Sequence, residues 1–159
     1  MKKFELTSET KINIFGKKLF RIKALISFGN VEAGKTGGWV EKEENVNQSG
    51  NAWVFDNAEV FGNARVSGNA WVSGNAWVSG NAWVFGNADY ATIHGFGTQF
   101  RTTTFFRCKD KQVKVSCGCF YGTIPEFREQ VKNTRKGKIA EEYLMIADLM
   151  EKHFAEEAK

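Results

Sequence analysis

The chain has little of several features that mark familiar protein classes. It holds a single proline in 159 residues, which is too few for a collagen-like or proline-rich disordered protein. No apolar run approaches the roughly 18–20 residues of a membrane-spanning helix. The charged start Met1–Leu6 is not followed by the apolar segment of a secretory signal. We therefore expect no membrane partner.

Cysteine is also scarce. Three cysteines, an odd number, without a secretory signal predict a reducing, cytoplasmic location rather than a disulfide framework. A zinc site on Cys108, Cys117 and Cys119 would need a fourth ligand, which only His94 or His153 could supply. Buried thiols are the favoured interpretation, and we expect no metal site and no cofactor.

The excess of charge is small as well. A net charge of +4 favours an anionic partner, but it falls short of the dense basic surface of a nucleic-acid-binding protein. With 42% hydrophobic and 25% charged residues, the composition is that of a globular protein. Nucleic acid is therefore not the expected partner.

The most informative feature that is present is a six-residue repeat from Gly50 to Ala91, which reads GNAWVF, DNAEVF, GNARVS, GNAWVS, GNAWVS, GNAWVF, GNADYA. A period of six does not fit a helix. The Ala and Val of each repeat are one residue apart, so they point to the same side of a strand. Gly-Asn supplies a corner. The pattern predicts short strands that coil, three repeats to a turn, with Ala and Val inside.

The residue between Ala and Val should face outward. With three repeats to a coil, residues eighteen apart share one face, which predicts three neighbouring pairs: Trp53 with Trp71, Glu59 with Trp77, and Arg65 with Trp83. Trp71, Trp77 and Trp83 then occupy the three faces of one coil. Exposed tryptophans on every face need cover from the chain's own ends, from another subunit or from a ligand.

The Gly-Asn-Ala-x-Val repeats resemble the hexapeptide-repeat family, whose fold is a left-handed parallel β-helix. The hand is implied by that resemblance alone, because parallel crossovers are generally right-handed. At the position after Val, where the family usually has a small residue, three repeats carry Phe55, Phe61 and Phe85. Family members commonly form trimers, so the resemblance implies a homotrimer.

The flanks should cap the short coil, which gives three regions: an N-terminal β cap over 1–40, the repeats over 41–99, and a C-terminal region over 100–159. The apolar segments Ile12–Phe15 and Leu19–Ile22 predict a β-hairpin. The glycine-rich stretch that contains Gly34-Lys35-Thr36 lacks the spacing of a phosphate-binding loop. We interpret it as a turn into the first coil.

In the C-terminal region, Thr102–Cys108 and Gln112–Phe120 predict a second β-hairpin. Thr123 and Glu126 have capping-box spacing and predict the start of a helix. A final helix has apolar residues three or four apart, at Ile139, Tyr143, Ile146, Ala147, Met150 and Phe154. The predicted fold is mainly β: a short left-handed parallel β-helix with an N-terminal hairpin cap and a C-terminal hairpin plus two α-helices.

The family resemblance implies three functional classes: acyltransferases, metal-dependent carbonic anhydrases, and non-enzymatic binders or scaffolds. The anhydrase class needs three histidine ligands, and the sequence has only His94 and His153, so we reject it. An acyltransferase would use His94 as the general base, with Asp89 to orient it. A histidine at the end of a repeat is more often structural, which makes catalysis the alternative hypothesis.

The leading hypothesis is the binding of a phosphorylated or nucleotide-like ligand. Basic residues alternate with phenylalanines in the second hairpin and the helix after it, although acidic residues among them also fit an ordinary solvated surface. The predicted ligand-binding residues are four cations and three outward tryptophans: Arg101, Arg107, Lys114, Arg128, Trp71, Trp77 and Trp83.

The whole chain also resembles a group of small phage and prophage proteins. The likeness covers the Phe-Gly-Asn-Val-x-Ala-Gly to Gly-Gly-Trp-Val motif at Phe28–Val40, the repeats, and the tail from Thr103 to Phe154. It implies an accessory protein in the cytoplasm of a bacterial host, which sequesters a nucleotide-like signal or a host defence protein. A hexapeptide-repeat acyltransferase and a structural phage component are the alternatives.

Overall fold

The computed structural model describes residues 2–155. The chain begins with three antiparallel strands, β1 (Phe4–Ile12), β2 (Lys18–Ala24) and β3 (Thr36–Val40). The predicted hairpin across residues 16–18 is confirmed, since β1 pairs with β2 from Phe4 opposite Ala24 to Ile12 opposite Lys18.

The repeats form six two-residue strands: β4 (Trp53–Val54), β5 (Glu59–Val60), β6 (Arg65–Val66), β7 (Trp71–Val72), β8 (Trp77–Val78) and β9 (Trp83–Val84). Strand β4 pairs in parallel with β7, β5 with β8, and β6 with β9. The three predicted neighbouring pairs eighteen residues apart are therefore confirmed. The Ala and Val of these six repeats are at most 1% exposed, so they form the interior.

The corners between these strands depend on residues with positive φ. Gly68 and Gly74 have φ of +62° and +66°, which glycine adopts without strain. In the second repeat Asp56 stands in the glycine position with φ of 59°. Its Oδ2 accepts a hydrogen bond from the Gly74 backbone N at 3.3 Å.

The coil begins before the repeats and ends before their last member. Strand β3 pairs in parallel with β5, and Val46 forms a parallel bridge with Val66. At the other end, the prediction of a seventh repeat at Gly86–Ala91 is wrong, because the chain leaves the coil after β9. Residues Asn87–Asp89 form a 3-10 turn. Tyr90, too large for an interior Val position, then opens an antiparallel strand and donates its hydroxyl hydrogen to the Trp71 carbonyl.

The C-terminal region is a four-stranded antiparallel sheet covered by two helices. Its strands are β10 (Tyr90–Phe96), β11 (Arg101–Arg107), β12 (Val113–Cys117) and β13 (Phe120–Thr123). The helices are α1 (Ile124–Thr134) and α2 (Gly137–Phe154). The second hairpin is confirmed as β11 and β12, and the capping box of α1 is confirmed between Thr123 and Glu126. Strands β10 and β13 were not predicted.

Two hydrophobic cores meet at strand β11. Phe106 packs into the core of the coil, whereas its neighbour Phe105 packs against Phe127, Tyr143 and other residues of the helices. Adjacent residues of a strand point to opposite faces, so one strand serves both cores. The molecule is thus mainly β with two helices, and neither helix is long and apolar enough to cross a membrane.

Candidate ligand-binding groove

A groove lies where the N-terminal hairpin, the coil and the C-terminal sheet meet. Its volume is about 370 Å³, and we call it the His94 groove. Its lining comes from all three regions of the chain: Lys11, Asn57, Glu59, Asn75, Trp77, His94, Arg101, Thr102 and Gly118. It combines an aromatic ring, cations and hydrogen-bonding side chains in one place.

His94 is exposed on β10, directly opposite Thr102 on β11. Its Nδ1 lies 2.7 Å from the Thr102 Oγ1, which fixes the orientation of the ring. When Nδ1 donates to that oxygen, Nε2 carries the lone pair that a general base requires. Thr102 therefore orients the His94 ring, the role that the sequence analysis assigned to Asp89.

The structure corrects the predicted pairing of Asp89 with His94. The Asp89 carboxylate accepts a hydrogen bond from the Phe85 backbone N at 2.9 Å and pairs with the Arg107 Nε at 3.2 Å. Asp89 lies in the 3-10 turn Asn87–Asp89, before the strand that carries His94 begins at Tyr90, and the turn directs its carboxylate to Arg107. Asp89 consequently does not orient the histidine.

Arg101 supplies the groove with a cation at the start of β11. Its guanidinium lies against Gly118, so closely that a Cβ at that position would collide with the Arg101 Nη1. Within residues 2–155, Arg101 forms no ion pair with a carboxylate. A guanidinium without a carboxylate partner can bind the oxygens of a phosphate or carboxylate ligand.

The remaining wall is formed by Trp77 and the ion pair between the partly exposed Lys11 and the buried Glu59. Trp77 is half-buried, and the Phe15 ring meets it edge-on at 5.7 Å. The Glu59 carboxylate binds the Lys11 Nζ at 2.9 Å and accepts from the Asn13 Nδ2 at 3.2 Å. Because Lys11 neutralises Glu59, the positive charge of Arg101 dominates the groove.

The other predicted cations lie elsewhere and have partners of their own. Arg107 pairs with Asp89 and donates to the Phe154 carbonyl. Arg128 binds both Glu151 and Asp148 at 2.9 Å, and these hydrogen bonds raise its pKa. The Lys114 Nζ lies 5.8 Å from the centre of the Tyr121 ring. Of the four cations, only Arg101 therefore lines the groove.

The three tryptophans occupy separate faces of the coil, as the sequence predicts. Trp77 faces the His94 groove, Trp71 lines a second groove, and Trp83 lines two further depressions of about 380 and 310 Å³ on the third face. The sequence prediction missed Lys11 and Glu59 as groove residues. Glu59 carried a signal, since an acidic residue among outward tryptophans implies a nearby cation.

The cysteines provide no reactive centre in the groove. Cys108 is buried, and burial raises the pKa of its thiol to about 12. It is consequently protonated at neutral pH. The Thr103 hydroxyl donates to the Cys117 Sγ at 3.2 Å, and Cys119 is exposed. Within residues 2–155, no group of three or more His, Cys, Asp or Glu side chains is placed to hold a metal ion.

Comparisons with known proteins give a local similarity. No protein-family model matches the chain. A segment is 35% identical over 66 residues to an uncharacterized acetyltransferase, YdcK, of Escherichia coli (strain K12). The match covers 35% of this chain and 19% of that protein. The chain thus spans about a fifth of the length of the curated relative it matches.

Proposed function

We propose that the His94 groove binds an anionic, nucleotide-like small molecule, one with a flat ring and a phosphate group. The observation that carries this proposal is Arg101, a cation without a carboxylate partner within residues 2–155, in the same groove as the half-buried ring of Trp77. The arginine would bind the phosphate and the tryptophan would stack on the ring.

The other groove residues suit the same ligand. The amides of Asn57 and Asn75 and the hydroxyl of Thr102 offer donors and acceptors for the edge of a base or for sugar hydroxyls. A volume of about 370 Å³ falls in the range of roughly 300–1,000 Å³ that is usual for small-molecule sites. The Lys11–Glu59 pair fixes one wall without repelling an anion, because it is neutral as a pair.

The resemblances support three further parts of the proposal. The coil would be left-handed, and the protein would form a homotrimer that leaves the His94 groove open. Its role would be that of a phage accessory protein in the cytoplasm of a bacterial host, where it sequesters a nucleotide-like signal or a host defence protein. Binding without turnover would be sufficient for that role.

A second candidate function is acyl transfer, which the name of the similar Escherichia coli protein and the His94–Thr102 contact favour. The Nε2 of His94 would take a proton from an acceptor hydroxyl or amine. The acceptor atom would then bond to the acyl carbon of a thioester donor as the C–S bond breaks, and the proton would pass to the departing sulfur. Coenzyme A is itself nucleotide-like, so both functions would use the same groove.

Isothermal titration of the full chain with ADP, coenzyme A and acetyl-coenzyme A tests the binding proposal. We expect Trp77→Ala and Arg101→Ala each to weaken binding by about tenfold or more, because stacking and charge-assisted hydrogen bonds are each worth about 1–3 kcal/mol. Lys132→Ala removes an exposed cation of α1 outside the groove and should leave the affinity unchanged. Failure of all three probes to bind would oppose the proposal.

Acetyl transfer is tested separately, by chromatographic detection of coenzyme A released from acetyl-coenzyme A in the presence of amine and alcohol acceptors. If the second candidate is right, His94→Ala abolishes release while binding persists. Release that survives in His94→Ala would exclude the histidine as the base. No ligand, combined with assembly beyond a trimer, would favour the structural phage component instead.

A further inference from the structure

A second, larger groove lies on another face of the coil and shares no lining residue with the His94 groove. Its volume is about 510 Å³, and we call it the Trp71 groove. It lies between the connection from β2 to β3 and the first repeats. Its aromatic and polar lining includes Trp53, Phe55, Trp71, Arg21, Lys35 and Thr36.

The aromatic wall of this groove is held in place before any ligand arrives. The Trp71 Nε1 donates to the Asn51 carbonyl at 3.2 Å, which fixes the indole ring. The Phe55 ring meets it edge-on, with centroids 5.8 Å apart and planes at 89°. Trp53 is buried and packs against Phe28 at 5.3 Å. A rigid aromatic surface loses little conformational entropy on binding a flat ring.

The polar side of the groove carries Arg21 with unused hydrogen-bond donors. Its guanidinium stacks on Trp39 at 4.8 Å, and its Nη1 donates to the Asp56 carbonyl at 3.2 Å. Within residues 2–155 its buried Nε has no hydrogen-bond partner, although it forms a long ion pair with the Glu9 Oε2 at 3.9 Å. The Arg21 side chain is only partly buried, but a buried donor atom without a hydrogen-bond partner is costly unless another acceptor completes it.

Lys35 adds a second positive charge at the rim. It is exposed, and no carboxylate within the described residues 2–155 forms an ion pair with it. The one acidic lining residue, Asp56, uses its Oδ2 to accept from the Gly74 backbone. The lining residues therefore carry two cations and one carboxylate beside an aromatic wall, and Lys35 is the cation that forms no ion pair within residues 2–155.

We propose that the Trp71 groove is a second binding site, for a ligand with a flat ring and one anionic group, either carboxylate or phosphate. The ring lies against Trp71 and Phe55, and the anionic group meets Lys35 and the free donors of Arg21. The site does not depend on the His94 groove or on the function proposed for it.

Titration calorimetry with two probes, AMP for the phosphate and indole-3-acetate for the carboxylate, tests this site. We expect at least one probe to bind, and Lys35→Glu to weaken it by about tenfold or more because the charge at the rim is reversed. The matched control, Lys132→Glu, makes the same charge change on an exposed residue of α1 and should leave the affinity within about twofold. Which probe binds distinguishes the two anions.

Trp71→Ala should weaken the binding that is sensitive to Lys35→Glu, whereas Arg101→Ala, in the other groove, should leave that binding unchanged. Because Lys35 is exposed, its substitution leaves the fold intact, and a circular dichroism spectrum of Lys35→Glu verifies this. Two results would overturn the proposal: neither probe binds, or binding is equally strong in wild type and Lys35→Glu. Sensitivity to Arg101→Ala but not to Lys35→Glu would assign the probe to the His94 groove and also overturn it.

Discussion

The coil and the C-terminal region bury their cores in different ways. Inside the coil the buried side chains are Ala and Val at fixed six-residue intervals, and the Val residues pair with Val eighteen residues away. In the C-terminal region the buried side chains are mostly larger and come from strands β11 and β12 and both helices, with partly buried side chains added from β10 and β13. A repeated local rule therefore specifies the first core, whereas the second depends on contacts between unlike segments.

The two cores are nevertheless connected. Phe105 and Phe106 are neighbours on β11, but one is buried among the helices and the other in the coil. The Trp77 backbone N also donates to the Thr104 Oγ1 at 3.0 Å, and Lys109 N donates to the Asn81 carbonyl at 2.9 Å. A substitution that destabilises one core should therefore also destabilise the other, because β11 packs against both.

The largest expected effect is the loss of stability when a buried side chain is truncated to Ala, and it should differ between the two cores. Phe127 is buried against the rings of Phe105, Phe120 and Tyr143, so Phe127→Ala should lower the free energy of unfolding by about 3–5 kcal/mol. Val78→Ala in the coil removes less apolar volume and should cost about 2 kcal/mol. Urea titrations followed by circular dichroism measure both. Equal losses would mean that the coil core is the more sensitive one per atom removed.

A second prediction contrasts two corners of the coil that share the sequence Ser-Gly-Asn and nearly the same positive φ. A Cβ on Gly68 would collide with the Phe85 carbonyl oxygen, whereas nothing lies within 4 Å of a Cβ on Gly74. Both Ala variants have the cost of positive φ, about 1–2 kcal/mol. Gly68→Ala should lose about 1–3 kcal/mol more, because the coil below must shift. Equal urea midpoints would show that the stacked corners are not in close contact.

A third prediction concerns Lys3, a buried cation at the first end of an otherwise apolar coil. Its Nζ donates to the Ala52 carbonyl at 2.7 Å, and burial lowers its pKa from 10.5 to about 8. Between these two pKa values the unfolded chain binds more protons than the folded protein, so the free energy of unfolding should rise as pH increases from about 8 to 10.

Lys3→Met isolates this contribution, since all other titrating groups are common to both proteins. Urea titrations at pH 8, 9 and 10 should show wild type gaining stability relative to the variant. Parallel pH profiles would mean that the carbonyl contacts hold the Lys3 pKa near that of the unfolded chain.

The sequence predicted the parts of the fold that follow a local rule. The six-residue period was enough to identify the neighbouring pairs, including Glu59 beside Trp77. The first coil positions, Val40 and Val46, were missed because no Gly-Asn-Ala motif precedes them, although they are also six residues apart. Strand β10 was missed because Gly-Asn-Ala recurs before Tyr90 while the chain there leaves the coil.

Only the residues of the His94 groove that are close to one another in the sequence could be predicted. His94 and Arg101 are close in sequence and were both named in advance, although in separate hypotheses. Lys11 comes from the far end of the chain, and nothing in its local sequence places it beside Glu59. The Asp89–His94 pair failed because it assumed that nearness in sequence implies contact, whereas the turn at Asn87–Asp89 directs the carboxylate to Arg107.

Native mass spectrometry of the full chain with ADP and coenzyme A tests the central claim most directly. We expect wild type to form a trimer that carries a discrete added mass for each occupied groove. Under the same conditions Arg101→Ala should form the same trimer and lose the added mass that belongs to the His94 groove, while any ligand in the Trp71 groove remains. A wild-type spectrum without added mass, or equal ligand occupancy in both proteins, would contradict the assignment of the His94 groove as the binding site.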